Sequence, residues 1–266
     1  MDPAWRLDRL RVRSDDRAGL HLIRKWLKAG ILEPDGQVVH PDTGTPQGGV
    51  VSPVLAHVSL HYARDLWVAT VGNPHCRGEA LLCRYADAWV CAFRFREDAE
   101  RFYRVLPQRL AKFHLQVAPE KTQRLRFSRF HPSLRQRFTF LGFELYGMPD
   151  RQGVPRGKRR TARKKLQAAC RRMGEWITQP RHLPGREFFR RLNARLRGHY
   201  NYYGVQGNVR ALTRFFDWAM ECTLKGLNRR GGKRKSLTWE QFSPGLDRVK
   251  IARPRITEVK RRRVYA

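Results

Sequence analysis

The stretch CRYADAWVCAF, residues 83–93, sets one carboxylate, Asp87, between two short apolar runs. Asp87 stands alone there, since its neighbour Ala88 has no oxygen to add, and any carboxylate chemistry at this junction must work around that vacancy. A second stretch interleaves cations with aromatics: Arg190, Arg191, Arg195 and Arg197 stand beside His199, Tyr200, Tyr202 and Tyr203. Guanidiniums contact phosphates and aromatic rings stack on unpaired bases, so the pattern suits a nucleic acid. The same spacing fits a plain helix, with Phe188, Leu192 and Leu196 in a core and the arginines on a solvated face. A third stretch, NRRGGKRKSLTWEQF, offers Arg229, Arg230, Lys233 and Arg234 around a glycine pair, and fits either a loop tracking a phosphate backbone or a basic linker.

Charge favours the nucleic acid. The 266 residues include 55 Lys and Arg against 23 Asp and Glu, a formal net charge of +32. That is far beyond what solubility requires, and such a field attracts polyanions. The excess is lopsided: residues 151–266 hold 32 basic and 7 acidic side chains, whereas residues 1–150 hold 23 and 16. An anionic membrane is a distant second choice of partner. The five cysteines form no CxxC pair and no zinc spacing, so neither a zinc finger nor a disulfide framework is expected. The opening MDPAWRLDRLRVRSDD has no apolar signal core, and the longest apolar stretch, residues 49–72, is broken by Pro53, His61, Arg64 and Asp65. The expectation is a soluble, cytoplasmic protein.

These residues need elements to position them. Leu20, Ile23, Trp26 and Leu27 recur at helical spacing, which predicts a helix in RAGLHLIRKWLKAG closed by Gly30. QVVH reads as a short strand. SPVLAHVSLHYARDLW reads as a helix with Ser52 as N-cap and with Val54, Leu55, Val58, Tyr62 and Leu66 on its buried face. ALLCRYA and WVCAFRF predict two strands joined at Asp87–Ala88, and EDAERFYRVLPQRLAKFH predicts a helix interrupted and kinked by Pro107. TQRLRFS and FTFLGFELY supply two more strands, an α+β pattern rather than a βαβ series. The Gly/Pro/Arg-rich residues 147–160 read as a linker. Three helical patterns follow, TARKKLQAACRRMGEWI, REFFRRLNARLRGHYNYY and VRALTRFFDWAMECTLKGLNRR, before a short helix opened by Thr238 and Trp239 and a frayed basic tail.

Four stretches in order, GTPQGGVVSPVLAHVSL, RYADAWV, LQVAPEKT and FTFLGFELYG, resemble the palm of group II intron reverse transcriptases. LNARLRGHYNYYGVQGNVRALTRFF with LNRRGGKRKSLTWEQF resembles that family's maturase, or thumb, domain. The resemblance implies a partial palm over residues 1–146, a linker over 147–157, an all-α maturase domain over 158–245 and a basic tail over 246–266. It implies nucleotide contacts from Gln47, Gly48, Tyr85 and Lys121, and RNA contacts from Arg190, Arg191, Arg195, Arg197, His199, Tyr200, Tyr203, Arg229, Arg230, Lys233 and Arg234. Taken singly, TPQGG also fits a helix-entry turn, Lys121 an exposed turn lysine, and FLGF a structural segment with Phe140, Leu141 and Phe143 in the core.

The family expects Tyr-x-Asp-Asp on a hairpin holding two Mg²⁺. Asp87 matches the first aspartate and Ala88 replaces the second. MDPAW resembles the end of the first palm motif, which implies that the metal aspartate opening that motif, and the fingers, would lie before Met1. Asp15, Asp16 or Asp98 would substitute only by coincidence of position. Each lost electrostatic stabiliser costs on the order of 100-fold in rate. The expectation is therefore an RNA-binding, maturase-like protein deficient in polymerisation. Its partners would be structured RNA such as a group II intron and, secondarily, an RNA/DNA duplex, with Mg²⁺ required only by residual polymerase activity. Two alternatives stay open: an active RNA-directed DNA polymerase that starts upstream and tolerates Ala88, and a decayed remnant.

Overall fold

Two helices, α1 (Pro3–Arg11) and α2 (Arg17–Lys28), open the chain, the second capped by Asp16, whose carboxylate accepts from Gly19 N at 3.0 Å. The computed structural model describes residues 3–29, 31–32, 38–39, 52–127, 136–150, 152–179, 183–230 and 236–259, with the backbone alone described at Pro3, Ile31, Leu32, Val38, Val39 and Arg230. Gly30, Gln47, Gly48, Lys233 and Arg234 lie outside the described residues. The chain forms two units, residues 1–124 and 125–266.

In the first unit, β1 (Ile31–Leu32) pairs antiparallel with β2 (Val38–Val39), the strand expected in QVVH. α3 (Ser52–Leu60) runs on into π-helical turns at His61–Asp65 and Val68–Gly72. Each π turn is wider than an α turn and resets the 3.6-residue period. Leu55, Ser59 and Ala63 are buried at four-residue spacing, Arg64 and Val68 continue the buried face through the π turns, and Val54 and Leu66, both expected inside, are exposed. β3 (Ala80–Tyr85) and β4 (Ala88–Phe93) form an antiparallel ribbon, one face of which is covered by α4 (Arg96–Ala111). Leu82, Trp89, Cys91 and Phe93 pack there against Phe102, Leu106, Leu110 and Val68. α4 continues through Pro107, correcting the expected interruption: the proline is exposed, and buried Leu106 and Leu110 hold the helix on the ribbon from either side of it.

The second unit begins with a three-stranded antiparallel sheet, β5 (Arg137–Phe140), β6 (Phe143–Pro149) and β7 (Pro155–Thr161), in that spatial order. FTFLGFELY, expected as one strand, is a hairpin that folds at Leu141 (φ 49°) and Gly142 (φ 77°). Two left-handed residues in succession suit the right-handed twist of a tight hairpin, so Leu141 is a turn residue rather than a core one. Residues 147–157, expected as a linker, are mostly strand: Gly147 pairs with Gly157 and Pro149 with Pro155, across a turn in which Asp150 accepts from Gln152 N and Val154 N, each at 2.9 Å. The division between units falls after Arg124 instead. Residues 122–127, expected as a strand, join no ladder. Leu125 and Phe127 there are exposed, without the one-sided burial that holds a strand in a sheet.

α5 (Arg163–Thr178), α6 (Gly185–Tyr203) and α7 (Val209–Arg230) follow the three helical patterns of the sequence. α8 (Trp239–Arg248) opens as expected at Thr238, whose N–H donates to the Gln241 side chain at 3.2 Å in a capping box. Their shared core includes Ile177, Phe188, Leu192, Leu196, Tyr200, Leu212, Phe215, Met220, Phe242 and Leu246. α5 and α7 lie parallel and close: Trp218 donates to Cys170 O at 2.9 Å, and a Cβ on Gly226 would stand 3.3 Å from Ile177.

Both helices start at a buried amide. Asn208 accepts from Thr161 N at 2.9 Å and donates to Thr161 Oγ1 and Tyr203 O, each at 2.8 Å. Residues 250–258 are no frayed tail but a strap along α6. Ala252 N donates to Asn193 at 2.6 Å, and Thr257 N and Glu258 N donate to Gly204 O at 2.8 and 3.0 Å. Their apolar members Ile251, Ala252 and Ile256 join the core, which is why the segment does not fray.

Asn208→Ala leaves buried backbone groups of Thr161 and Tyr203 without partners. The expected cost is about 2–4 kcal/mol of unfolding free energy, summed over the lost bonds. A chemical denaturation curve of the variant against the parent protein, read by helical circular dichroism, checks it.

Candidate functional site

The turn bearing Asp87 is a two-residue one. Tyr85 pairs with Ala88, so the loop is Ala86–Asp87, with Ala86 at φ 52°, and Ala88 already belongs to β4. This corrects the expected junction at Asp87–Ala88 by one residue. Asp87 is exposed at the tip. Behind it Arg84 organises the end of the ribbon: its Nε meets Asp65 at 2.7 Å, its Nη1 lies 2.9 Å from His57 Nδ1, and it reaches Ala86 O at 3.4 Å. Buried Arg64 holds the same Asp65 at 3.1 Å and stacks over Trp89. Two guanidiniums thus occupy the carboxylate that shares this end of the ribbon.

Asp16 caps α2, and buried Asp98 accepts from Arg77 N and Gly78 N at 3.0 and 3.3 Å, beside the opposite end of the ribbon. Both carboxylates are thus engaged by backbone N–H groups, and Asp98 is buried. Among the described residues no three His, Cys, Asp or Glu side chains gather as a metal site. One exposed carboxylate beside an alanine does not make the carboxylate pair that two bridged ions require.

The uncovered face of the ribbon carries Tyr85, 66 % exposed, and Leu81, 61 % exposed. Tyr85 and Asp87 therefore share one hairpin. Lys121 is exposed on the 3₁₀ turn Pro119–Lys121 that follows α4. Cys91 faces α4, and burial pushes its thiol up to about 12, which leaves it inert.

In the helical unit the expected RNA residues separate. Arg190 and Arg191 both bind Glu187, at 2.7 and 2.6 Å, and their hydrogen bonds hold its carboxyl down at about 2. Arg195 lies over the Trp176 ring, 4.4 Å from its centroid, and Arg197 is exposed. Arg229 is exposed in the last turn of α7, where Arg230 also lies.

Tyr200, expected at the RNA surface, is instead fully buried, its hydroxyl donating to Ala252 O at 3.1 Å. It has no ring face for a base. His199 is likewise turned inward, stacked on Phe215 with centroids 3.7 Å apart, and burial lowers it from 6.5 to about 4, so near neutral pH it carries no charge for a phosphate. Tyr203 is half-buried against Phe143 and over Gly142. Both departures have one cause: at helical spacing residues 188, 192, 196, 199, 200 and 203 fall on the core face of α6.

A sequence model described as reverse transcriptase (RNA-dependent DNA polymerase) matches residues 6–145, just over half of the chain. The chain belongs to the reverse transcriptase family. No curated protein matches it by sequence. No helix among the described residues is long and apolar enough to cross a membrane.

The unfolded imidazole, near pH 6.5, takes up a proton that His199 in the folded chain refuses until about pH 4. This group's contribution is complete above about pH 6.5 and declines as the pH falls toward 4, by at most about 1.4 kcal/mol per pH unit. Denaturation midpoints should therefore fall between about pH 7 and pH 5 in the parent protein, and less steeply in His199→Phe.

Proposed function

We propose that this reverse-transcriptase-family chain is a maturase-like RNA-binding protein that no longer polymerises DNA. Its partner would be structured RNA of the group II intron kind. The observation that carries the reading is the charge on the second unit's outer faces. Arg163, Lys164, Lys165, Arg172, Arg197, Arg210 and Arg214 are exposed on α5–α7 and make no ion pair among the described residues. The helical core is complete without them. Unneutralised cations on a packed scaffold repel one another, and a phosphate backbone relieves that repulsion with release of its counterions. Binding the active fold of an RNA more tightly than its alternatives shifts the RNA toward that fold, and this requires no metal chemistry.

The hairpin at Asp87 supports the loss of polymerisation. Ala88 supplies no ligand, and Asp65 is held by Arg64 and Arg84. Asp87, Tyr85 and Lys121 then have no incoming nucleotide to serve. Mg²⁺ would matter only to whatever extension remains.

Affinity for RNA transcribed from the sequence flanking the gene, against a scrambled RNA of equal length, tests the reading at low and physiological salt. The expected result is a preference for the flanking RNA that persists at physiological salt. Equal, steeply salt-dependent binding of both would reduce the protein to a generic polycation. In parallel, primer extension with Mg²⁺ should stay at background. Extension that disappears in Asp87→Ala would overturn the claim that synthesis is lost.

A further inference from the structure

Tyr202, on the helix that places Tyr200 inside, points the other way. One face of its ring stacks on Phe143, with centroids 5.9 Å apart and planes 15° apart. Its hydroxyl donates to Leu141 O at 3.0 Å, so the ring is fixed at both ends, yet the residue remains 55 % exposed. Tyr203 meets the ring edge-on, with centroids 4.7 Å apart and planes 74° apart, and an exposed ring held by a stack, an edge contact and a tethered tip has the makings of a stacking platform.

The surroundings match a polyanion. Gly198, one turn before Tyr202, has open space where a side chain would stand, and Arg195 lies three residues before that on the same face. Arg172 comes from α5, near enough to the tyrosine pair to oppose the burial that raises the Tyr203 hydroxyl. Neither Arg172 nor Arg195 forms an ion pair among the described residues.

We propose that Tyr202 stacks an unpaired base of a single-stranded RNA segment, with Arg195 and Arg172 holding the adjoining phosphates across the open surface above Gly198. This rests on the RNA-binding reading and specifies it: the unit takes an unstacked nucleotide and not only duplex backbone. Base stacking tolerates any sequence, so the site would contribute affinity for loops and bulges rather than a sequence code.

The test uses the full chain with two probes, a uridine-rich single-stranded 12-mer and an RNA duplex of the same length. Tyr202→Ala should weaken the single strand by about tenfold or more and leave the duplex nearly unchanged. Tyr202→Phe, which keeps the ring, should stay close to the parent protein. Gly198→Glu, which improves helix propensity and meets no neighbour, should also weaken the single strand. A 5-iodouridine version of the 12-mer should photocrosslink to Tyr202. Equal single-strand affinity in the parent protein, Tyr202→Ala and Gly198→Glu, with crosslinks elsewhere, would overturn the platform while leaving RNA binding intact. If the parent protein binds neither probe, the RNA-binding reading itself falls.

Discussion

The buried amide of Asn208 is the constraint on which the helical unit turns. A side-chain amide offers two donors and an acceptor, and here each is spent on backbone or hydroxyl groups of Thr161 and Tyr203. These two residues end β7 and α6, while Asn208 itself starts α7. One residue thus fixes where a strand stops, where a helix stops and where the next begins. Since α5 follows β7 directly, α5 and α7 leave the same point in the same direction, and Gly174 and Gly226 then let them approach closely. The end of α6 is held by the same contact, and this brings Tyr202 and Tyr203 onto the Leu141–Gly142 turn. Gly142 is needed there: its left-handed backbone suits glycine, and a Cβ would press on the Tyr203 hydroxyl at 2.9 Å.

Folding a unit this basic concentrates like charge, and the few acids are placed where they relieve it. Glu187 takes two arginines, Glu144 takes Arg137 and Arg160, and Glu258 takes Arg159 while also accepting from Gln206 N. Aromatic faces support further guanidiniums, Arg253 over Phe216 and Arg195 over Trp176, the second without an ion pair among the described residues. The cations left over lie on the outer faces of the helices. The division separates arginines neutralised by carboxylates within the fold from arginines left without an ion pair among the described residues, and Arg190 and Arg191 belong to the first group.

The first unit shows the same economy of carboxylates with a different result. Arg64 is buried and needs a counter-charge, and Asp65 supplies it while also binding Arg84. That network stiffens the root of the hairpin that displays Asp87. A hairpin rooted by ion pairing keeps its form without a bound metal, and among the described residues no cluster of metal-ligating side chains accompanies it.

Local pattern and order determined a good deal. Helices α5, α6 and α7 were legible to within about two residues because their apolar positions repeat every three or four residues over long segments. Family membership was legible because several short motifs occur in one order, and the absence of a second carboxylate because Ala88 is a matter of composition alone. Three-dimensional packing decided the rest. Nothing local says that two π turns follow α3, that residues 250–258 lie along α6, or that a glycine- and proline-rich stretch is strand. These outcomes depend on contacts between residues dozens of positions apart. The choice between Tyr200 and Tyr202 is of the same kind. Two tyrosines two positions apart are chemically equal in the sequence, and only the direction in which the core lies makes one a buried support and leaves the other exposed on the surface.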